Sequence, residues 1–325
     1  MSAVPPAAQR SPHRTSSAPG RPAGLIELGD PVTARPSDPV GHQLRAALDT
    51  RVRALVAHDP GTRLGQDPEE LHQMRVAVRR MRAALKAVLP LLDRSWADEL
   101  RAELGWLGRA LGPVRDADVL LQRLRGRAAA FDRTGQDAAE TLLQALVAQR
   151  EAARAKMLSA LDSERYAALL DRLAAAVSAP LPAPAGNSSG PGLLELVRIE
   201  FRRVRKAVAL IGEDPPDEVL HALRIKGKRL RYTAELAATS AGKPVRKLVE
   251  STVALQDVLG EHQDACVAQQ RVIALLDGLG DVVDLDVVFV AGRLVEREEA
   301  SRLATRDSWS AAWQRVRHRA EALGN

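Results

Sequence analysis

The chain has 325 residues, 46% of them hydrophobic and only 3% aromatic, with a net charge of +6 and a pI near 9.9. That length admits one large or two ordinary domains, and a core drawn mainly from Ala, Leu and Val favours helix-on-helix packing over a sheet. No apolar run reaches the ~20 residues of a membrane span, the single cysteine, Cys266, excludes an internal disulfide and fits a reducing compartment, and the basic balance points to an anionic partner.

Residues 1–39 are rich in proline, serine and glycine and carry no periodic apolar pattern, which predicts an unpacked tail. Arg10, Arg14 and Arg21 in that tail superficially suit a transit peptide, but its prolines oppose the amphipathic helix such a peptide needs. Asp38 or Pro39 opens a first helix expected to reach about His58, with Leu44, Leu48, Val52 and Leu55 on the buried face. The following stretch, DPGTRLGQDPEE, reads as a loop whose Asp67 and Pro68 are the N-cap and first position of a second helix. Pro90 limits that helix. A third helix is expected from Arg94 to Leu111, stopped by Gly112 and Pro113, then a fourth from about Arg115 to Phe131. Gln136 to Val177 forms a long amphipathic segment with a bend near Asp162.

Ser178 to Gly192 breaks every pattern, so the chain divides into a first helical half, 40–178, a linker, 179–192, and a second half, 193–323. The second half restarts with a helix from Leu193 to about Ile211, whose Arg203-Val204-Arg205 echoes Arg51-Val52-Arg53. Pro215 and Pro216 then precede a basic helix, Gly242 and Pro244 follow it, and Lys247 to Leu259 matches the third helix of the first half. A last helical region runs from about Asp284 to Leu323, with Trp309 and Trp313 one turn apart as core anchors. Cys266 reads as a small buried hydrophobe.

The chemistry concentrates in LHQMRVAVRRMRAALK, Leu71 to Lys86. On a helix, His72, Arg75, Arg79, Arg82 and Lys86 share one side, and Leu71, Met74, Val78, Met81 and Leu85 the other. Each like-charged neighbour costs roughly 0.2–0.5 kcal/mol, yet no acid between Leu71 and Leu92 relieves the row. The pattern returns in LHALRIKGKRLR, where His221, Arg224, Lys228, Arg229 and Arg231 stand for His72, Arg75, Arg79, Arg80 and Arg82. Leu111 to Ala117 and Leu259 to Ala265 extend the repeat, with Asp116 matched by Asp264 and Arg115 by Gln263. His72 to Lys86 spans about 21 Å at 1.5 Å per residue, longer than one phosphate or nucleotide can use and suited to a linear polyanion. Arginine's planar fork pairs with two phosphate oxygens and stays charged at any cellular pH. A polyanion would also favour the protonated form of the two histidines, so binding is expected to strengthen mildly below neutral pH.

The doubled H-x-x-R-[VI]-x-x-[KR]-[KR]-x-R signature, each copy followed by L-G-x-x-x-D, resembles the CHAD family, the conserved histidine α-helical domain. The resemblance covers about Val40 to Leu323 and implies an all-α fold of two pseudo-symmetric four-helix bundles with a basic central groove or pore. It implies non-catalytic binding of inorganic polyphosphate, in a cytoplasmic protein associated with polyphosphate granules. The contacts it carries over are His72, Arg75, Arg79, Arg80, Arg82, His221, Arg224, Lys228, Arg229 and Arg231. Lys86 shares the face, although its counterpart is Glu235. The E-x-E-x-K strand of a triphosphate-tunnel domain has no match.

Three rival readings remain. A nucleic-acid backbone fits the charges, but Tyr232 is the only aromatic beside the row and no recognition-helix or zinc-finger pattern occurs. A metal would have to enter among arginines, with no second histidine at i+4. A phosphohydrolase needs a nucleophile, or a metal with a base, and no phosphate loop or paired-carboxylate motif is found. No cofactor or metal is expected, Asp116 and Asp264 read as helix caps or as orienting partners of the arginines, and Gly227 reads as a close helix-packing point. Oligomeric state is left open.

Overall fold

A computed structural model describes residues 28–183, 192–280 and 283–324 and, within helices, leaves aside the side chains of residues 239 and 240. Among the described residues the chain is all-α. Its helices are α1 (Val40–Leu64), α2 (Pro68–Ala87), α3 (Arg94–Ala128), α4 (Arg133–Leu161), α5 (Glu164–Ser178), α6 (Leu193–Val208), α7 (Asp217–Asp277), α8 (Leu285–Arg306) and α9 (Trp309–Glu321).

Local chemistry sets most boundaries where the sequence places them. The Asp67 side chain caps α2 by accepting from the Glu69 amide, with Pro68 at the first helical position. A short 3-10 turn at Leu89–Leu91 ends that helix. The bend near Asp162 separates α4 from α5, where the Ser163 side chain accepts from the Tyr166 amide. Trp309 and Trp313 are buried in the core, as is Cys266.

Three elements run further than expected. α1 continues past His58, and the expected loop shrinks to the residues between Leu64 and Pro68. Thr62 is buried, Asp59 holds both Arg63 and the Tyr166 hydroxyl, and Gly65 closes the helix at φ 72°. The expected third and fourth helices are one: α3 passes straight through Gly112 and Pro113. A proline inside a helix costs roughly 3 kcal/mol, whereas each fully buried apolar side chain returns about 1.5–3. Leu107, Leu111 and Val114 are all buried around the proline, so packing wins. In the second half the expected break at Gly242 is real, as a kink with φ 70° and ψ −155° inside the 61-residue α7. Beyond it the helix runs unbroken through Gly260.

Residues 28–39 do not hang free of the fold. The Val32 amide donates to Asp49 Oδ2 (3.0 Å), Gln43 donates to the Asp38 carbonyl (2.8 Å), and Arg53 donates to the Gly29 carbonyl. The rest of the expected tail, residues 1–27, lies outside the described residues, as do residues 184–191 of the linker.

The apolar core forms two clusters, and neither respects the linker. One joins Leu44, Met74, Leu85, Leu107 and Tyr166 to Leu196, Leu223, Leu255 and Trp313. The other joins Leu121, Leu124, Leu142 and Leu143 to Val272, Val290 and Leu294. Thus α3 and α7 each traverse both clusters, and α2 packs on α7 while α4 packs on α8.

Candidate functional site: two cationic rows across one cleft

Burial of Leu71, Met74, Val78, Met81 and Leu85 on one side of α2, and of Leu220, Leu223, Leu230 and Ala234 on one side of α7, fixes the rotation of both helices. Their cationic sides meet where α2 packs on α7. Arg80 Nε lies 3.6 Å from Glu235 Oε2, and Arg231 Nε donates to Glu235 Oε1 at 2.8 Å, so one carboxylate is shared by arginines from both repeats. Glu235 is the counterpart of Lys86, which explains the one place where the repeat changes sign.

Elsewhere counter-ions are scarce. Arg75 Nη1 donates to Asp116 Oδ1 (2.6 Å) and to the Gly112 carbonyl (3.3 Å), as the orienting reading of Asp116 requires. The equivalent Asp264 is half-buried, and burial pushes its carboxyl up against the downward pull of Arg224, Arg123 and Lys228. Among the described residues Arg224 makes no ion pair, and its Nε is buried without a hydrogen-bond partner. Among the described residues Arg79, Arg82, Lys86, Lys228 and Arg229 likewise have no carboxylate within 4.0 Å.

The mutual repulsion registers in their protonation. Lys228 is driven down to about 8, first by burial, then by Arg224 beside it and by Arg79 and Arg75 of α2, with Asp264 opposing. Arg79 is lowered by the protein mass around it and by Arg75, Arg231 and Arg80, with Tyr232 opposing. Lys86 is lowered by burial and then by Arg229 of the other repeat. His72 is lowered by burial and then by Arg115, with Glu69 opposing. His221 Nδ1 instead contacts Gln263 Oε1 at 2.5 Å. The same repeat position thus acts on each histidine, Arg115 as a repelling charge in one copy and Gln263 as a hydrogen-bond partner in the other.

Two residues close to the rows escaped the sequence reading. Burial and then Arg101 and Arg109, both on α3, lower the Arg82 guanidinium. A Cβ at Gly105 would stand 3.3 Å from Arg82 Nη2 and 3.5 Å from Arg109 Nη1, so this glycine makes the room they share. Asp98, Glu99 and Glu103 are interspersed along that stretch of α3, so an acid-free criterion passes over it. Gly112 and Gly260 repeat the device, lying against the Arg75 and Arg224 guanidinium groups. Gly227 does pack closely, against Gln256.

One grouping of potential metal ligands occurs among the described residues, Asp217, His262 and Cys266, with ligating atoms within 4.8 Å of one another. Asp217 already accepts from Arg302 at 2.9 and 3.0 Å and from Arg306 at 3.0 Å. Two guanidinium charges there oppose a cation, and burial pushes the Cys266 thiol up to about 11.

A family model described as the CHAD domain matches residues 46–273. The chain belongs to the CHAD family. The uncharacterized proteins MT2285 and Rv2226 of Mycobacterium tuberculosis are each 34% identical to it over 251 residues, 73% of this chain and 45% of theirs. The chain therefore spans less than half the length of these curated relatives. Among solved structures, the CHAD domain of the plant Ricinus communis superposes with a TM-score of 0.68 at 26% identity, covering 88% of this chain and 95% of that one. PptA from Streptomyces chartreusis gives the same TM-score at 21% identity, covering 85% and 100%. The CHAD fold is thus common to all three. Among the described residues no helix is long and apolar enough to cross a membrane.

Proposed function

We propose that this CHAD domain binds inorganic polyphosphate in the cleft between α2 and the first part of α7, without turning it over. The observation that carries this reading is the set Arg79, Arg82, Lys86, Arg224, Lys228 and Arg229, which among the described residues has no carboxylate within 4.0 Å, with Lys228 lowered by burial and then by Arg224 and Arg79, and Lys86 by burial and then by Arg229. A row of linked phosphates supplies the missing charge along the whole length, and each charge-assisted contact contributes roughly 1.5–3 kcal/mol. His72, Arg75, Arg80, His221 and Arg231 flank the row, with Arg75 held by Asp116 and Arg80 and Arg231 by Glu235. Catalysis finds no support here: of the carboxylates beside the row, Asp116 and Glu235 are engaged by arginines and Asp264 is half-buried against Arg224 and Lys228, and among the described residues none is paired with a free base. Association with polyphosphate granules in the cytoplasm belongs to the same proposal.

The test is a competition of long-chain polyphosphate against duplex and single-stranded DNA at physiological salt, with the parent and with Arg79→Ala combined with Lys228→Ala. We expect polyphosphate to win in the parent and to weaken by 100-fold or more in the double variant, with the melting temperature kept or raised because repulsion is removed. Equal affinity in the two proteins would remove the cleft from the reading. Preference for DNA would replace the ligand, and steady orthophosphate release with magnesium present would replace the non-catalytic assignment.

A further inference from the structure

A cavity of about 340 Å³ opens beside the cleft, between α1, α2, α7 and the strapped segment before α1. Its floor is apolar, from Ala46, Ala47 and Ala84, and Val32 of the strap closes one wall. Arg51, Arg80, Tyr232 and Glu235 supply the polar side. Three guanidinium groups gather at one carboxylate: Arg80 and Arg231 touch Glu235, and Arg51 interacts with both Arg80 and Glu235. Arg80 Nε is buried and has no hydrogen-bond partner. An anion entering here meets unspent positive charge, as in the cleft. A bare phosphate chain, however, has no use for an alanine floor, and a volume of this size exceeds what one phosphate fills.

We propose that this cavity is a separate site for a small phosphate ester of nucleotide size. Its phosphate lies against Arg51 and Arg80, and its organic part covers the alanines, with Tyr232 alongside. Glu235 accepts a hydrogen bond from a hydroxyl or amine of the organic group, which selects an ester over inorganic phosphate or pyrophosphate.

The repeat provides an internal comparison. Arg203 and Arg229, the counterparts of Arg51 and Arg80, line a cavity between α6 and α7. That cavity has Lys206 and Lys226 beside them. The cation pair is therefore duplicated, while among the described residues an aromatic ring, Tyr232, lines only the first cavity. Because Arg80 borders both the cavity and the cleft, occupancy of one alters the charge offered to the other.

Titration calorimetry of the full chain with AMP, ATP, adenosine and pyrophosphate tests the site, alongside Ala46→Phe to fill the cavity. We expect one equivalent of nucleotide to bind at least tenfold more tightly than either adenosine or pyrophosphate. Ala46→Phe should abolish that binding while leaving polyphosphate affinity within twofold, and its melting curve reports whether the variant is folded. Should it fail to fold, Arg51→Ala serves instead, with at least a tenfold loss of nucleotide affinity expected. Pyrophosphate binding as tightly as nucleotide, no nucleotide binding at millimolar concentration, or nucleotide affinity unchanged in the folded variants would each overturn the site. Loss of polyphosphate binding with nucleotide binding intact would count against the cleft alone.

Discussion

Lys228 shows what a single residue reports about the cleft. Its ammonium is held near 8 by burial, by Arg224 on its own helix and by Arg79 and Arg75 on α2, against Asp264. Below about pH 8 the free protein already carries this charge, and a polyanion meets it at full strength. Above pH 8 the bound form must take up a proton, because the ligand raises the lysine's affinity for it. Polyphosphate affinity should therefore fall as pH climbs from 8 towards 10, by up to tenfold per unit. Lys228→Arg should flatten that slope, and equal slopes in the two proteins would deny Lys228 a place at the ligand. The same depression acts on folding with its own sign. The unfolded lysine keeps its proton up to its ordinary value, so this group's penalty on the folded state shrinks as pH rises from 8 towards 10.5.

At the scale of one helix, the kink in α7 is the feature most exposed to substitution. Gly242 has φ 70° with ψ −155°, a combination closed to side-chain-bearing residues. Gly242→Ala should cost about 1–3 kcal/mol in chemical denaturation, although a Cβ there meets nothing within 4 Å. A loss below ~0.5 kcal/mol would mean that the bend relaxes without cost. This break was legible in the sequence because Gly and Pro lie two residues apart at the end of an apolar stripe. Gly112-Pro113 carries the same signal and gave a false stop: those residues pack inside the molecule, and burial of Leu111 and Val114 is a tertiary effect that local propensity does not contain. The overrun of α1 has a similar origin, since the Tyr166–Asp59 hydrogen bond joins residues 107 positions apart. The cationic rows were readable because their criterion, cations at helical spacing without acids, is itself local. Arg101 and Arg109 were not, because Asp98, Glu99 and Glu103 stand among them along α3, and only folding brings Arg101, itself paired with Asp98, up to Arg82. Arg51 reaches its neighbours through tertiary packing alone, which no spacing rule encodes.

Across the whole molecule, the two sequence repeats are not two independent bodies. Both apolar clusters draw on both repeats, and the two cationic rows come together only where α2 of one meets α7 of the other. Residues 28–183 expressed alone should expose the faces that Leu196, Leu223, Val272 and Val290 cover, and should give a non-cooperative melt or aggregate. Co-expressed with residues 192–324, they should co-purify and melt as one. A sharp, independent transition from either fragment would show that each repeat carries a sufficient core.

That interlocked packing also constrains how the molecule can change over generations. After a duplication, two freestanding copies can drift apart, one keeping the old task while the other explores. Here a volume change on either side is felt by its twin, so the copies are yoked together in shape. Latitude is left mainly to polar rims and entrance walls, the places where Gln263 stands in the second copy for Arg115 and Glu235 for Lys86.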